Sequence, residues 1–378
     1  AIGAYQTALK LDSSNPVAHN NLANVYTQQR KMEQARKHFQ CALDLQPDYA
    51  PARLGLGNIL NTQGQQDKAA ECYQQVLKLQ PTYPEAHCYL GVILRNQGQI
   101  QEAIKHLKQA LVQRPQYLDA LINLGNALQD DRQFDSAIES FRRCLAIRPD
   151  DAGCHYNLGN SLYQKGAMEE AIIQLERAVG LNPDFYQAHI NLGIALYLTG
   201  QNDRALKHLQ RAIELAPDYA EAHNNLGCLL KDNGYLQKAI SHFEQALVYR
   251  PDFAEVYSNT GVALHALGRL DEALSHYEKA LKLQPDKADT FSNMLLALNY
   301  SAGYDAEAIF ARHMQYAEHF ESPTVVADKL FPNNPEPGKR LRVGYVSPDF
   351  RDHAVAYFIE PVFAHHAHED FEIFCYYN

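Results

Sequence analysis

A proline returns every 34 residues, at Pro47, Pro81, Pro115, Pro149, Pro183, Pro217, Pro251 and Pro285, and Ser13 holds the same register one step earlier. A period this strict means that the chain is built from copies of one unit. A unit of that length cannot bury an apolar face alone, so neighbours must stack and share their cores.

Within each copy the apolar residues follow helical spacing. Ala52, Ala86, Ala120, Ala188 and Ala222 begin a stripe that continues through Leu56, Leu90, Leu124, Leu158, Leu192 and Leu226 to Leu60, Leu94, Leu128, Leu162, Leu196 and Leu230. That i, i+4, i+8 pattern predicts a first helix with one buried face. The residue after the central leucine is small (Ala23, Gly57, Gly91, Gly125, Gly159, Gly193, Gly227, Gly261), which lets a second helix press close. Glycines at 64, 98, 166, 200, 234 and 268 mark a turn, and a second stripe follows, from Ala69, Ala103 or Ala137 through Tyr73 or Phe141 to Ala110 or Ala178. Helix, turn, helix and a terminating proline is the tetratricopeptide pattern. The fold expected is mostly α, a right-handed superhelix whose concave surface is formed mainly by the first helices.

Composition narrows the function. The formal net charge is −10 and no basic cluster stands out, so nucleic acid is not an expected partner. No apolar run approaches the roughly 18 residues of a membrane span, and no signal peptide opens the sequence. Cys41, Cys72, Cys88, Cys144, Cys154, Cys228 and Cys375 lie far apart with no CxxC and no ligand spacing, and are expected to be reduced thiols in a cytoplasmic compartment, or a nucleocytoplasmic one if the source is eukaryotic.

The first residues, AIGAYQTALKLD, align with the second helix of a repeat, so the repeats are expected to start in mid-unit and to fill residues 1–300 as about eight full units and a degenerate ninth. In the ninth, Leu295 replaces the small residue, and AEAIFARHMQYAEHF is expected to cap the array. Residues 301–339 then form cap and linker, the latter holding four prolines in ESPTVVADKLFPNNPEPGK. From residue 340 the pattern changes: LRVGYVS and FEIFCYY read as strands flanking the loop SPDFRDHA and a helical stretch, the opening βαβ segment of a parallel sheet.

Two groups of residues could carry function. Seven of nine first helices place Asn just before the central leucine or its equivalent, at Asn21, Asn123, Asn157, Asn191, Asn225, Asn259 and Asn293, with Gly55 and Tyr89 as the exceptions. Amides repeated along a groove offer donors and acceptors to the backbone of an extended polypeptide, whatever its sequence. Glu85, Asp119, Gln187, Glu221 and Glu255 stand one turn earlier, so the cations of a carboxylate clamp are missing there. His19, His87, His155, His189 and His223 follow the same period and are expected to be structural rather than metal ligands. The second group is the loop with Asp349, Asp352 and His353, placed after a strand and before a helix, where open α/β sheets bind ligands.

A long tetratricopeptide array, a proline-bearing linker and then LRVGYVSPDFRDHAVAYFIEP, with HH and FEIFCYY behind it, resembles the protein O-glycosyltransferases of the O-GlcNAc transferase and SPINDLY family. The resemblance implies inverting transfer of a sugar from a nucleotide-diphosphate donor to Ser or Thr of proteins, by Rossmann-like lobes without a metal or cofactor. It puts His353 at the family's active-site histidine and the Asn ladder at the groove that holds the acceptor polypeptide. Ala354 and Val355 depart from the Pro-Thr of animal members and look SPINDLY-like or bacterial, which leaves UDP-GlcNAc and GDP-fucose both open as donor. With residues 340–378 only beginning a catalytic domain, this stretch alone is expected to bind acceptors without catalysing. A homodimer through the repeats is compatible with the pattern, and the competing reading is a non-enzymatic scaffold for protein–protein interaction.

Overall fold

The computed structural model describes residues 2–320 together with the strands at 341–346 and 371–376. The first part is an array of antiparallel helix pairs. It opens with α1 (Ile2–Leu11), a lone helix, and continues with α2 and α3 (Pro16–Gln28, Met32–Leu45), α4 and α5 (Ala50–Thr62, Gln66–Leu79), and α6 and α7 (Pro84–Asn96, Ile100–Gln113). Then come α8 and α9 (Leu118–Asp130, Phe134–Ile147), α10 and α11 (Ala152–Lys165, Met168–Leu181), and α12 and α13 (Tyr186–Leu198, Asn202–Leu215). The last pairs are α14 and α15 (Ala220–Asp232, Leu236–Tyr249), α16 and α17 (Ala254–Ala266, Leu270–Leu283), and α18 and α19 (Ala288–Tyr300, Ala306–Phe320). Ile2, Tyr5 and Leu9 of α1 pack beside Leu22 and Phe39, as a preceding second helix would.

Each pair closes over its small residue. A Cβ added to Gly125 would lie 2.5 Å from the Phe141 ring, and one added to Gly193 would lie 2.7 Å from Cγ of Leu209. The space of one methyl group is thus already filled by the second helix, which lets the two axes approach closely. Between repeats the same logic holds with alanines: Ala110, Ala120, Ala178 and Ala188 are all 0% exposed.

The stacking has an inner and an outer side. First helices of successive repeats touch one another, α8 with α10 and α10 with α12, whereas second helices make their main contacts with the helices just before and after them in the chain. The row of first helices is therefore the more tightly drawn one and forms the inner, concave face.

One expectation is overturned. Cys144 of α9 and Cys154 of α10 are joined as a disulfide, their Cα atoms 6.9 Å apart, so the seven cysteines are not all thiols. The two residues stand at the inter-repeat contact that Ala110 and Ala120, or Ala178 and Ala188, fill elsewhere. Small side chains meet there face to face, and at this junction both happen to carry sulfur. Cys41, Cys72, Cys88 and Cys228 are free.

The ninth pair differs as its sequence does. α19 forms but buries none of its residues. Leu295, 5% exposed, fills the place where glycine elsewhere admits the second helix, so that docking is sterically closed.

In the second part, β1 (Leu341–Val346) and β2 (Phe371–Tyr376) pair in parallel, from Leu341 opposite Phe371 to Val346 opposite Tyr376. The two strands of the βαβ reading thus fall among the described residues. The connecting residues lie outside the described ones. Among the described residues no helix is long and apolar enough to cross a membrane.

Candidate functional site: the asparagine-lined groove

All seven ladder asparagines lie on first helices and all are half-buried. Three of them are tied laterally. Asn157 donates to Oδ1 of Asn126 at 3.1 Å, Asn191 to Oδ1 of Asn160 at 2.7 Å, and Asn259 to Oδ1 of Asn224 at 3.1 Å. Asn191 also reaches the Tyr156 hydroxyl at 3.3 Å. Each bond crosses from one repeat to the one before it, so the amides brace neighbouring first helices. Their Oδ1 atoms accept nothing among the described residues and remain able to take a backbone N–H. Asn123 instead donates to the Asp119 carbonyl of its own helix at 2.7 Å, and Asn21 accepts from Asn20 at 3.3 Å. Asn225 and Asn293 make no side-chain hydrogen bond among the described residues.

The partners Asn126 and Asn160 escaped the sequence reading. Their signal was present, since Asn24, Asn58, Asn126 and Asn160 also recur with the repeat, three positions after the ladder register. Asn58 serves a different partner, accepting the Tyr73 hydroxyl at 2.7 Å.

Two cavities open on the ladder. One, of about 710 Å³, has Asn259 and Asn293 in its wall with Lys231, Arg250 and Glu255. Two of its three cations are engaged, Arg250 with Glu221 at 2.6 Å and Lys231 with Asp232 at 3.0 Å, and Lys287 is the third. Arg114 and Glu85 repeat the first of these pairs at 2.6 Å. The acidic residues one turn before the ladder are thus partly neutralised by arginines at the end of the adjoining second helix. The other cavity, of about 530 Å³, is lined by Asn160 and Asn191 with Arg132, Phe134, Tyr163 and Ile194.

The periodic histidines bridge the two helices of a pair. Nε2 of His87, His189 and His223 donates to the carbonyl of Pro81, Pro183 and Pro217 at 2.9, 3.1 and 3.0 Å. Nδ1 then faces Nδ1 of His106, His208 and His242 at 2.9, 3.0 and 3.2 Å, and His19 meets His38 in the same way at 2.9 Å. In the fifth pair Gln174 replaces the second imidazole, 2.7 Å from His155. With Nε2 donating, each first histidine can offer Nδ1 to its partner's N–H, which makes these pairs structural links. Burial, reinforced by the His189 and Arg204 charges, pushes His208 down to about 4.

His353, Asp349 and Asp352 lie outside the described residues.

Known proteins fit this division. Tetratricopeptide repeat profiles match residues 15–82, 83–150, 122–184 and 224–288, and a TPR repeat profile matches 195–234. The profile of Glycosyl transferase family 41 matches residues 291–378, starting inside α18. A tetratricopeptide repeat protein from Parabacteroides merdae is similar in fold, with a TM-score of 0.53 and 18% identity over 66% of this chain and 99% of its own. Two curated relatives are each described as a probable UDP-N-acetylglucosamine–peptide N-acetylglucosaminyltransferase SPINDLY. That of Oryza sativa subsp. japonica is 36% identical over 88 residues, and that of Solanum lycopersicum 32% over 87. Each match takes in 21% of this chain and 9% of the relative, so the chain spans about a tenth of the length of these proteins. The chain is therefore a tetratricopeptide repeat protein whose residues 291–378 match the Glycosyl transferase family 41 profile.

Proposed function

We propose that this chain is the acceptor-binding part of a protein O-glycosyltransferase. An extended polypeptide lies along the asparagines of the concave face and offers a Ser or Thr hydroxyl to a catalytic domain that begins around residue 340, after a cap and linker at 301–339. The observation that carries this reading is the joint occurrence of a laterally braced amide ladder and a family 41 region in one chain. The ladder residues Asn21, Asn123, Asn157, Asn191, Asn225, Asn259 and Asn293 hold backbone groups, which suits an enzyme with many acceptors.

The donor is UDP-GlcNAc, the sugar nucleotide in the names of the curated relatives, with GDP-fucose as the alternative that Ala354 and Val355 keep open. His353 acts at the reacting hydroxyl as base or as orienting group. No cofactor is required, because the activated leaving group is the nucleoside diphosphate itself. The setting is cytoplasmic or nucleocytoplasmic.

The test is transfer of label from UDP-GlcNAc and from GDP-fucose to lysate proteins by the protein that carries this chain and by its His353→Ala variant. Labelling with one donor, lost in the variant, supports the reading and identifies the donor. No transfer from either donor, with partner proteins still retained, would leave a scaffold.

A further inference from the structure

At six of the turns between paired helices the chain takes up a left-handed conformation at glycine, with φ from +73° at Gly268 to +86° at Gly166. Arg30 and Arg132 hold the same place at two other turns, each with φ of 58°. A residue with a Cβ in this region costs on the order of 1 kcal/mol, which glycine would avoid. Such strain clusters at functional sites.

Arg132 has a place to act. It is exposed and lines the 530 Å³ cavity on the ladder together with Asn160, Asn191, Phe134, Tyr163 and Ile194. Its guanidinium makes no hydrogen bond or ion pair among the described residues. Neither nearby carboxylate pairs with it: Asp130, which lines the same cavity, pairs with Arg95 at 2.6 Å, and Asp131 keeps its charge while accepting from Gln101 at 2.6 Å. The cavity therefore presents amides to a backbone, an apolar wall to a side-chain stem, and at its rim one cation that forms no ion pair among the described residues. Arg30 lines neither this cavity nor the one around Asn259 and serves as an internal control.

We infer that Arg132 is a specificity residue that reads a Glu or Asp side chain of the polypeptide lying across Asn160 and Asn191. This rests on the proposal that the groove binds polypeptide. An acidic side chain entering here meets the guanidinium while its backbone is held by the amides. The rest of the ladder stays indifferent to sequence, so the preference is local to one register of the bound segment.

The experiment compares two fluorescein-labelled Ser/Thr-rich peptides that differ only in carrying Glu or Gln at two adjacent central positions. Binding to the chain is read by anisotropy at low salt. The native chain should bind the Glu peptide about fivefold more tightly, the scale of one exposed ion pair, and the preference should shrink as salt is raised. Arg132→Gly should abolish the preference while leaving Gln-peptide binding in place, and Arg132→Lys should keep most of it. Arg30→Gly should leave it untouched, although both glycine variants should raise the unfolding midpoint. Equal binding of the two peptides by the native chain, or a preference that survives in Arg132→Gly, overturns the inference and leaves the groove reading standing. If neither peptide binds, the groove reading fails and the inference falls with it.

Discussion

The ring of Phe39 occupies the space that a Cβ on Gly55 would need, and this contact accounts for the first gap in the asparagine ladder. In other repeats the equivalent aromatic, such as Phe141, lies over the glycine of its own first helix; for Phe39 that place is held by Ala23, and the ring lies against the next repeat. Gly55→Asn, which would complete the ladder on paper, should destabilise the array by about 2 to 3 kcal/mol through overpacking. Urea unfolding checks this, and Phe39→Leu in the same chain should recover a good part of the loss. An unchanged midpoint in the single variant would show that the ring moves aside freely.

Tyr73 and Tyr277 hold equivalent places with opposite fortunes. The Tyr73 hydroxyl donates to Asn58, whereas the equivalent neighbour of Tyr277 is Val262, and the buried Tyr277 hydroxyl finds no partner among the described residues. Tyr73→Phe should cost about 1 kcal/mol, and Tyr277→Phe should gain about as much by removing an unsatisfied polar group. Matched denaturation curves distinguish the two, and the account fails if both substitutions destabilise alike.

Mild acid should weaken the array through its paired imidazoles. Burial lowers His38, His106, His208 and His242, each facing a second histidine, and His208 reaches about 4. A histidine with a lowered folded-state pKa takes up its proton more readily when unfolded. Its destabilising effect is absent above pH 6.5 and grows as pH falls from there toward about 4. His208→Gln, copying the natural His155–Gln174 pair, should flatten part of that slope while leaving stability at pH 8 nearly unchanged. A slope identical to that of the native chain would remove His208 from the explanation.

The link between Cys144 and Cys154 closes a short loop across the α9–α10 junction. Reduction should lower the stability of this region by about 2 to 3 kcal/mol, the usual entropic effect of such a loop. Replacing both cysteines by alanine should leave the helices intact, because alanine fills both places at neighbouring junctions. Thiol alkylation before and after reduction, read by mass, reports the pair directly, and full alkylation without reductant would contradict it.

The fold was legible because the repeat states each rule many times over: the stripe, the small residue and the turn glycine recur until chance is excluded. The departures were legible only in part. Leu295 announced a broken ninth unit, yet that α19 would bury none of its residues required knowing how closely a second helix approaches the glycine it replaces. Asn191 and its companions could be placed on one face from spacing alone. Their lateral bonds to Asn126, Asn160 and Asn224 depend on the rotation between successive repeats, which a period does not encode. The disulfide was missed for the same reason, since ten residues of separation look unremarkable until two helices bring Cys144 and Cys154 face to face. Arg132 stands out only in three dimensions, because its cavity takes three repeats to assemble.

The most direct test of the central claim is sugar transfer to protein acceptors by the protein that carries this chain, compared with a variant in which Asn157, Asn191, Asn225 and Asn259 are all alanine. The account predicts that the variant keeps its helical content but loses most labelling of protein acceptors. Undiminished labelling by a folded variant would contradict it, and would place acceptor recognition elsewhere than the ladder.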